Sequence, residues 1–169
     1  MRILCLVMVL GFATATLAQK KNDTKSFQIT GEVKAEKKIS IEDLANYRES
    51  ALGDVIITNH MGEVKSTQKK LKGILLRDVL EKVEFKTPSP KELSTFYIVC
   101  KASDGYIIVY SWNGIFNNPA GESVYLITSK DGVAAKDLEE SVLMASPRDY
   151  KTGRRYLKGL TEVQIKRAQ

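Results

Sequence analysis

Thr95-Phe96-Tyr97-Ile98-Val99-Cys100-Lys101, followed by Asp104-Gly105 and then Tyr106-Ile107-Ile108-Val109-Tyr110-Ser111, reads as a β-hairpin. Asp104-Gly105 supplies the turn, because glycine tolerates positive φ there. On the first strand Phe96, Ile98 and Cys100 alternate with Tyr97 and Val99, so both faces are apolar and the strand is expected to be buried. A strand buried on both sides needs other elements to cover it.

Upstream, Ile74-Leu75-Leu76-Arg77-Asp78-Val79-Leu80-Glu81-Lys82-Val83 reads as a helix, with Leu76, Val79, Leu80 and Val83 on one face. Thr87-Pro88-Ser89-Pro90 closes that region. Val55-Ile56-Ile57-Thr58 is a β-branched strand, and the polar stretch 63–71 can pair with it across Met61-Gly62. Ser40 followed by Asp43 is a capping-box signal, which predicts a short helix over 41–47. Phe27, Ile29 and Val33 fall on one side of a period-two pattern, a first strand interrupted by Gly31. Downstream, a short segment over 111–116 precedes a strand over 123–128. Asp131-Gly132 makes a turn, Val142-Leu143-Met144 reads as a strand, and 161–166 forms the last one. The sum is a strand-rich α+β domain with two or three short helices.

The chain has 169 residues and a formal charge of +6. Met1-Arg2, the apolar run Ile3 to Phe12 and the small-x-small close Ala13 to Ala18 have the form of a secretory signal peptide, cleaved after Ala18. The apolar run is shorter than the ~20 residues a membrane-spanning helix needs. Residues 1–18 are therefore expected to leave, 19–26 to form a flexible lead-in, and 27–169 to fold as one exported domain, periplasmic or secreted. No Arg-Arg pair precedes the apolar run, so a twin-arginine signal is absent. After cleavage one cysteine, Cys100, remains, and the fold must stand without an internal disulfide. The basic balance favours anionic partners such as phosphates, nucleic acid or acidic lipids. Lys and Arg are dispersed among acids, and no aromatic-basic stripe of the kind single-stranded nucleic acid needs is present.

The catalytic inventory is thin. His60 is the only histidine. One His and one distant Cys do not make a metal cluster without carboxylate help. There is no phosphate-binding glycine loop and no G-x-S-x-G elbow. Cys100, in an apolar alternating strand, reads as a buried small hydrophobe rather than a reactive thiol. The stretch Ser146 to Lys158 is richer, a Pro- and Gly-containing loop with five basic side chains, suited to phosphate or carboxylate.

Four stretches, in this order, resemble the oxidoreductase molybdopterin-binding domain of the sulfite oxidase family. They are Gly31-Glu32-Val33 with Ile41-Glu42-Asp43-Leu44; Leu71-Lys72-Gly73-Ile74-Leu75-Leu76-Arg77-Asp78-Val79-Leu80, similar to the family's Trp-x-Gly-x-x-Leu-x-x-Leu-Leu element; Ala102-Ser103-Asp104-Gly105-Tyr106; and Gly153-Arg154-Arg155-Tyr156-Leu157-Lys158-Gly159-Leu160 leading into Val163-Gln164-Ile165. The resemblance spans roughly residues 27–167. It implies a mixed-sheet α+β fold with a pocket for an anionic pterin cofactor, with Arg155 and Lys158 close to it. The family's metal-ligating cysteine stands in a Cys-x-Gly stretch ahead of the second element. Here that stretch is His60-Met61-Gly62. An imidazole is a poorer ligand than a thiolate for molybdenum.

The expectation is a non-catalytic module that binds molybdopterin, another pterin or a small anion through His60, Arg155 and Lys158, with no metal and no catalytic residue. A molybdenum-cofactor oxidoreductase is the first alternative. A protein-interaction domain that docks through Trp112 and Phe116 is the second.

Overall fold

The computed structural model describes residues 25–168. The leader 1–18 and most of the lead-in lie outside the described residues. The hairpin forms as its sequence predicts. Phe96–Ala102 and Ile107–Ser111 pair antiparallel, Val99 opposite Val109. Ala102 N–H donates to the Tyr106 carbonyl at 2.9 Å, and Gly105 takes φ +88° in the three-residue connection.

Among the described residues ten strands make two sheets. In chain order they are β1 (Ser26–Gly31), β2 (Lys37–Ser40), β3 (Ser50–Thr58), β4 (Val64–Leu75), β5 (Phe96–Ala102), β6 (Ile107–Ser111), β7 (Tyr125–Lys130), β8 (Val133–Ala134), β9 (Leu143–Ala145) and β10 (Leu160–Arg167). The first sheet runs β2-β1-β10-β5-β6. Its β1–β10 pair is parallel and the rest are antiparallel. The second runs β3-β4-β7-β8, with β9 also on β7. The main core includes the inward residues Phe27, Ile29, Ile98, Cys100, Val163 and Ile165 of the first sheet, with Leu76, Leu80 and Leu126 against them. Val55, Ile57, Leu71, Ile127 and Leu143 form a smaller cluster in the second sheet.

Three sequence expectations need correction. The helix drawn over 74–83 is only α1 (Leu76–Leu80), because Ile74 and Leu75 continue β4 and pair with Leu126 and Tyr125 of β7. Its buried face is nevertheless the expected one: Leu76, Val79, Leu80 and Val83 are all in the core. The lead-in ends earlier than residue 26, since Ser26 already pairs with Ser40. Val33 lies beyond β1 in an isolated bridge to Phe85.

The expected capping box does form. Asp43 N–H donates to Ser40 Oγ at 3.2 Å, and the Asp43 carboxylate accepts from Ser40 N–H at 2.8 Å. The turn it caps, Glu42–Asn46, is a 3-10 helix. The segment after the hairpin is α2 (Trp112–Phe116), with Ser111 Oγ accepting from Gly114 N–H at 2.9 Å. Among the described residues no helix is long and apolar enough to cross a membrane.

Candidate functional site

Residues 146–158 are hydrogen-bonded to residues of both sheets. Thr152 is the stitch to the second sheet. Its hydroxyl donates to the Ile56 carbonyl at 2.7 Å and accepts from Thr58 N–H at 3.0 Å. Gly153 follows because nothing larger fits: a Cβ there would stand 2.0 Å from the Thr58 carbonyl oxygen. On the first-sheet side, Tyr106 OH donates to the Arg154 carbonyl at 2.7 Å, and the buried hydroxyls of Tyr110 and Ser146 meet at 3.2 Å. Main-chain bonds between Met144 and Leu157, at 2.8 and 3.1 Å, then return the chain to the core.

Arg155 sits inside this frame. Its Nε donates to Asp149 Oδ2 at 2.6 Å, its Nη2 pairs with Oδ1, and the guanidinium lies 4.8 Å from the centre of the Tyr110 ring. The Asp149 carboxylate strengthens the protonated form of Arg155 against partial burial. Nη1 has no hydrogen-bond partner among the described residues. Lys158 is half exposed and stands 3.8 Å from Glu140, which is already paired with Lys130. Burial opposes ionisation of Glu140, but its bond to Lys130 and the nearby ammonium groups hold its carboxyl below the usual range. Lys158 therefore faces a carboxylate whose charge is largely met.

His60 occupies the exposed β3–β4 turn. Its carbonyl accepts from Lys151 Nζ at 2.6 Å, which joins the turn to the 146–158 segment. No hydrogen bond or ion pair links His60, Arg155 and Lys158 directly among the described residues. None of the three lines the cleft of about 430 Å³ between the Glu42–Asn46 turn and Ala134–Lys136. Arg148, Lys151 and Arg154 are exposed and form no ion pair among the described residues. The sequence reading missed Asp149 as the partner of Arg155, and also Thr152 and Tyr110. The Asp149–Arg155 spacing of six fits neither helix nor strand period, so no local pattern marks it.

Trp112 and Phe116 are half-buried. They stack at 5.0 Å between ring centres, and Phe116 meets Phe85 edge-on at 6.2 Å. Both pack against the main core.

The donor set does not suit a metal held by thiolate. Cys100 is fully buried on β5, and burial pushes its thiol up to about 12. It is the only free cysteine among the described residues. Where the resemblance places a ligand thiolate, the chain offers an imidazole on an open turn. The anionic part of a pterin cofactor is better matched, because Lys158, Lys151, Arg154 and Arg148 carry positive charge around one segment.

The sealed thiol has a consequence for stability. An unfolded chain loses the Cys100 proton above the ordinary thiol range, whereas the folded chain keeps it until about 12. Protons bound by the folded state alone make stability fall as pH rises across that window, by up to about 1.4 kcal/mol per pH unit. Tyr110 and Tyr156, both raised by burial, add to the fall above the usual phenol range. Alkaline denaturant melts are expected to show this slope, and Cys100→Ala to flatten its lower part. An unchanged slope in that variant would place the thiol in water.

No protein-family model and no curated protein sequence matches the chain. Among solved structures, the chain is similar to the sulfane dehydrogenase SoxCD from Paracoccus pantotrophus, with a TM-score of 0.63 at 12% identity. The match covers 87% of this chain and 39% of that one, so this chain spans about two fifths of its neighbour's length. At that identity the likeness shows a related fold, in agreement with the strand-rich α+β class read from the sequence.

Proposed function

We propose that the chain is an exported, non-catalytic module that binds a small oxyanion or a phosphorylated pterin on its 146–158 segment. One observation carries this reading. The only thiol among the described residues is sealed in the core, while Arg148, Lys151 and Arg154 of the 146–158 segment are exposed and form no ion pair among the described residues. In this reading Lys158 supplies a half-exposed ammonium, Lys151 and Arg154 add exposed charge from the same segment, and Arg155 offers the free edge of a guanidinium already oriented by Asp149. His60 stands beside the segment in this reading, its carbonyl accepting from Lys151 Nζ at 2.6 Å. An oxyanion with several acceptor oxygens suits this arrangement of forked and point-like donors.

The test is titration calorimetry of the purified protein with inorganic phosphate, sulfate and a phosphorylated pterin. Binding at low salt is expected, weakening as salt rises. Lys158→Ala is expected to lower affinity about three- to tenfold, as for loss of one solvent-screened contact of about 1 kcal/mol. Unchanged affinity would remove Lys158 from the site. A working oxidoreductase is the second reading, and the likeness to a sulfane dehydrogenase speaks for it. Stoichiometric molybdenum in the native protein would favour it.

A further inference from the structure

The hairpin of β3 and β4 ends in a turn that Asn59 holds in place. Asn59 Oδ1 accepts from Met61 N–H at 2.9 Å and from Glu63 N–H at 3.0 Å, and Asn59 N–H donates to the Glu63 carbonyl at 2.9 Å. Gly62 takes φ +97° to complete the turn. This ordered tip is apolar on its outside. Met61 is 67% exposed and Val64 65%. Val64 stands opposite Thr58, and Ile56, 51% exposed, shares the Thr58 face of β3. The bond from Lys151 to the His60 carbonyl brings a second segment to the tip, and with it the neighbouring Tyr150, which is fully exposed.

Large apolar side chains held out into water by a fixed turn carry a cost that a partner removes. The charges around them select that partner. Lys65 follows Val64, Lys151 reaches the turn, and Arg154 follows Gly153, which lies against the Thr58 carbonyl. All three are exposed and form no ion pair among the described residues. The carboxylate of the tip itself is Glu63, which accepts from Asn59 Nδ2 at 2.6 Å, and Asp149 is spent on Arg155. Positive charge therefore outweighs negative around an apolar point. A protruding point suits a soft, anionic surface. Apolar side chains enter between lipid headgroups, a tyrosine ring sits at headgroup level, and ammonium and guanidinium groups meet the phosphates. A folded protein partner would instead need an apolar hollow cut to this tip and ringed by acids.

We propose that the β3–β4 tip, with Tyr150 and Lys151 beside it, docks on an anionic phospholipid surface without crossing it. Met61, Val64 and Tyr150 enter the headgroup region, and Lys65, Lys151 and Arg154 meet lipid phosphates. The turn is ordered before contact, so docking costs little conformational freedom. A few apolar side chains alone hold a protein to lipid weakly, so the charges are needed and the contact weakens as salt rises. This surface goes beyond the oxyanion reading, because Met61, Val64 and Tyr150 take no part in that site, and Arg155 and Lys158 take none in this one.

Co-sedimentation with vesicles tests this, with parent and variants recovered from the cells that make them and shown by intact mass to share one N-terminus. Vesicles of equal parts phosphatidylglycerol and phosphatidylcholine are expected to carry the protein down at low salt. Vesicles of phosphatidylcholine alone are expected to bind it at least about tenfold more weakly. The double variant Met61→Asn with Val64→Thr keeps every charge and is expected to bind the anionic vesicles at least about tenfold more weakly than the parent. Tyr150→Ser, outside the hairpin, is expected to weaken binding about threefold, and it replaces the double variant should that fail to fold by circular dichroism. Phosphate titration of the double variant is expected to match the parent, so failure of the lipid contact and failure of the oxyanion site give different results. No binding to anionic vesicles, or equal binding to neutral ones, would overturn the proposal. So would a folded variant of either kind that binds the vesicles as the parent does, or polyglutamate that binds as tightly as the vesicles and equally well to the double variant.

Discussion

Asp149→Ala is expected to lower stability by about 2 kcal/mol and, at the same time, to raise anion affinity about tenfold. The two effects have one cause. Asp149 is largely buried, and both its oxygens are committed to Arg155. Removing it leaves a guanidinium at 30% exposure without its counterion, which costs less than a fully buried orphan because water still reaches it. The same removal turns an arginine with one free edge into one whose three guanidinium nitrogens can all donate to an incoming oxyanion. Urea melts give the first effect and phosphate titration the second. A variant that loses stability without gaining affinity would mean that Arg155 holds only the loop.

Gly153→Val is expected to cost about 3 kcal/mol and to weaken anion binding severalfold. The new Cβ would meet the Thr58 carbonyl oxygen at 2.0 Å, a backbone atom with no rotamer to move away. Either the Thr152–Arg155 turn or the end of β3 must shift. A shift of either breaks the two Thr152 hydroxyl bonds at 2.7 and 3.0 Å. Lys151 and Arg154, which flank this stitch, would then lose their common frame. Thermal melts report the first loss and calorimetry the second. Unchanged melting in this variant would contradict the tight approach of the turn to β3.

Much of the fold was legible wherever a local signal and a turn signal coincided. The β5–β6 hairpin combined alternation with Asp104-Gly105, and its strands formed within a residue or so of their expected ends. The pairing of 63–71 with 55–58 followed from adjacency across Met61-Gly62. Ile74 and Leu75 misled because an apolar run satisfies both periods. Only the β7 partner, some fifty residues on, settles them as strand. The parallel pairing of β1 with β10 brings together the two ends of the described chain, and no local pattern encodes such a contact. The site was legible as a basic segment but not as a geometry. Arg155 looked like a free anion ligand until its partner Asp149 appeared, six residues away in a loop without period. Cys100 was read correctly as a core residue because strand alternation gives its environment directly.

The central claim is that no thiolate among the described residues is placed to grip molybdenum, and that the proposed site holds an anion without metal chemistry. Molybdenum content per chain, measured by mass spectrometry on protein purified from the cells that make it, tests this most directly. The account predicts far less than one molybdenum atom per chain, with or without bound pterin. One molybdenum atom per chain would contradict it.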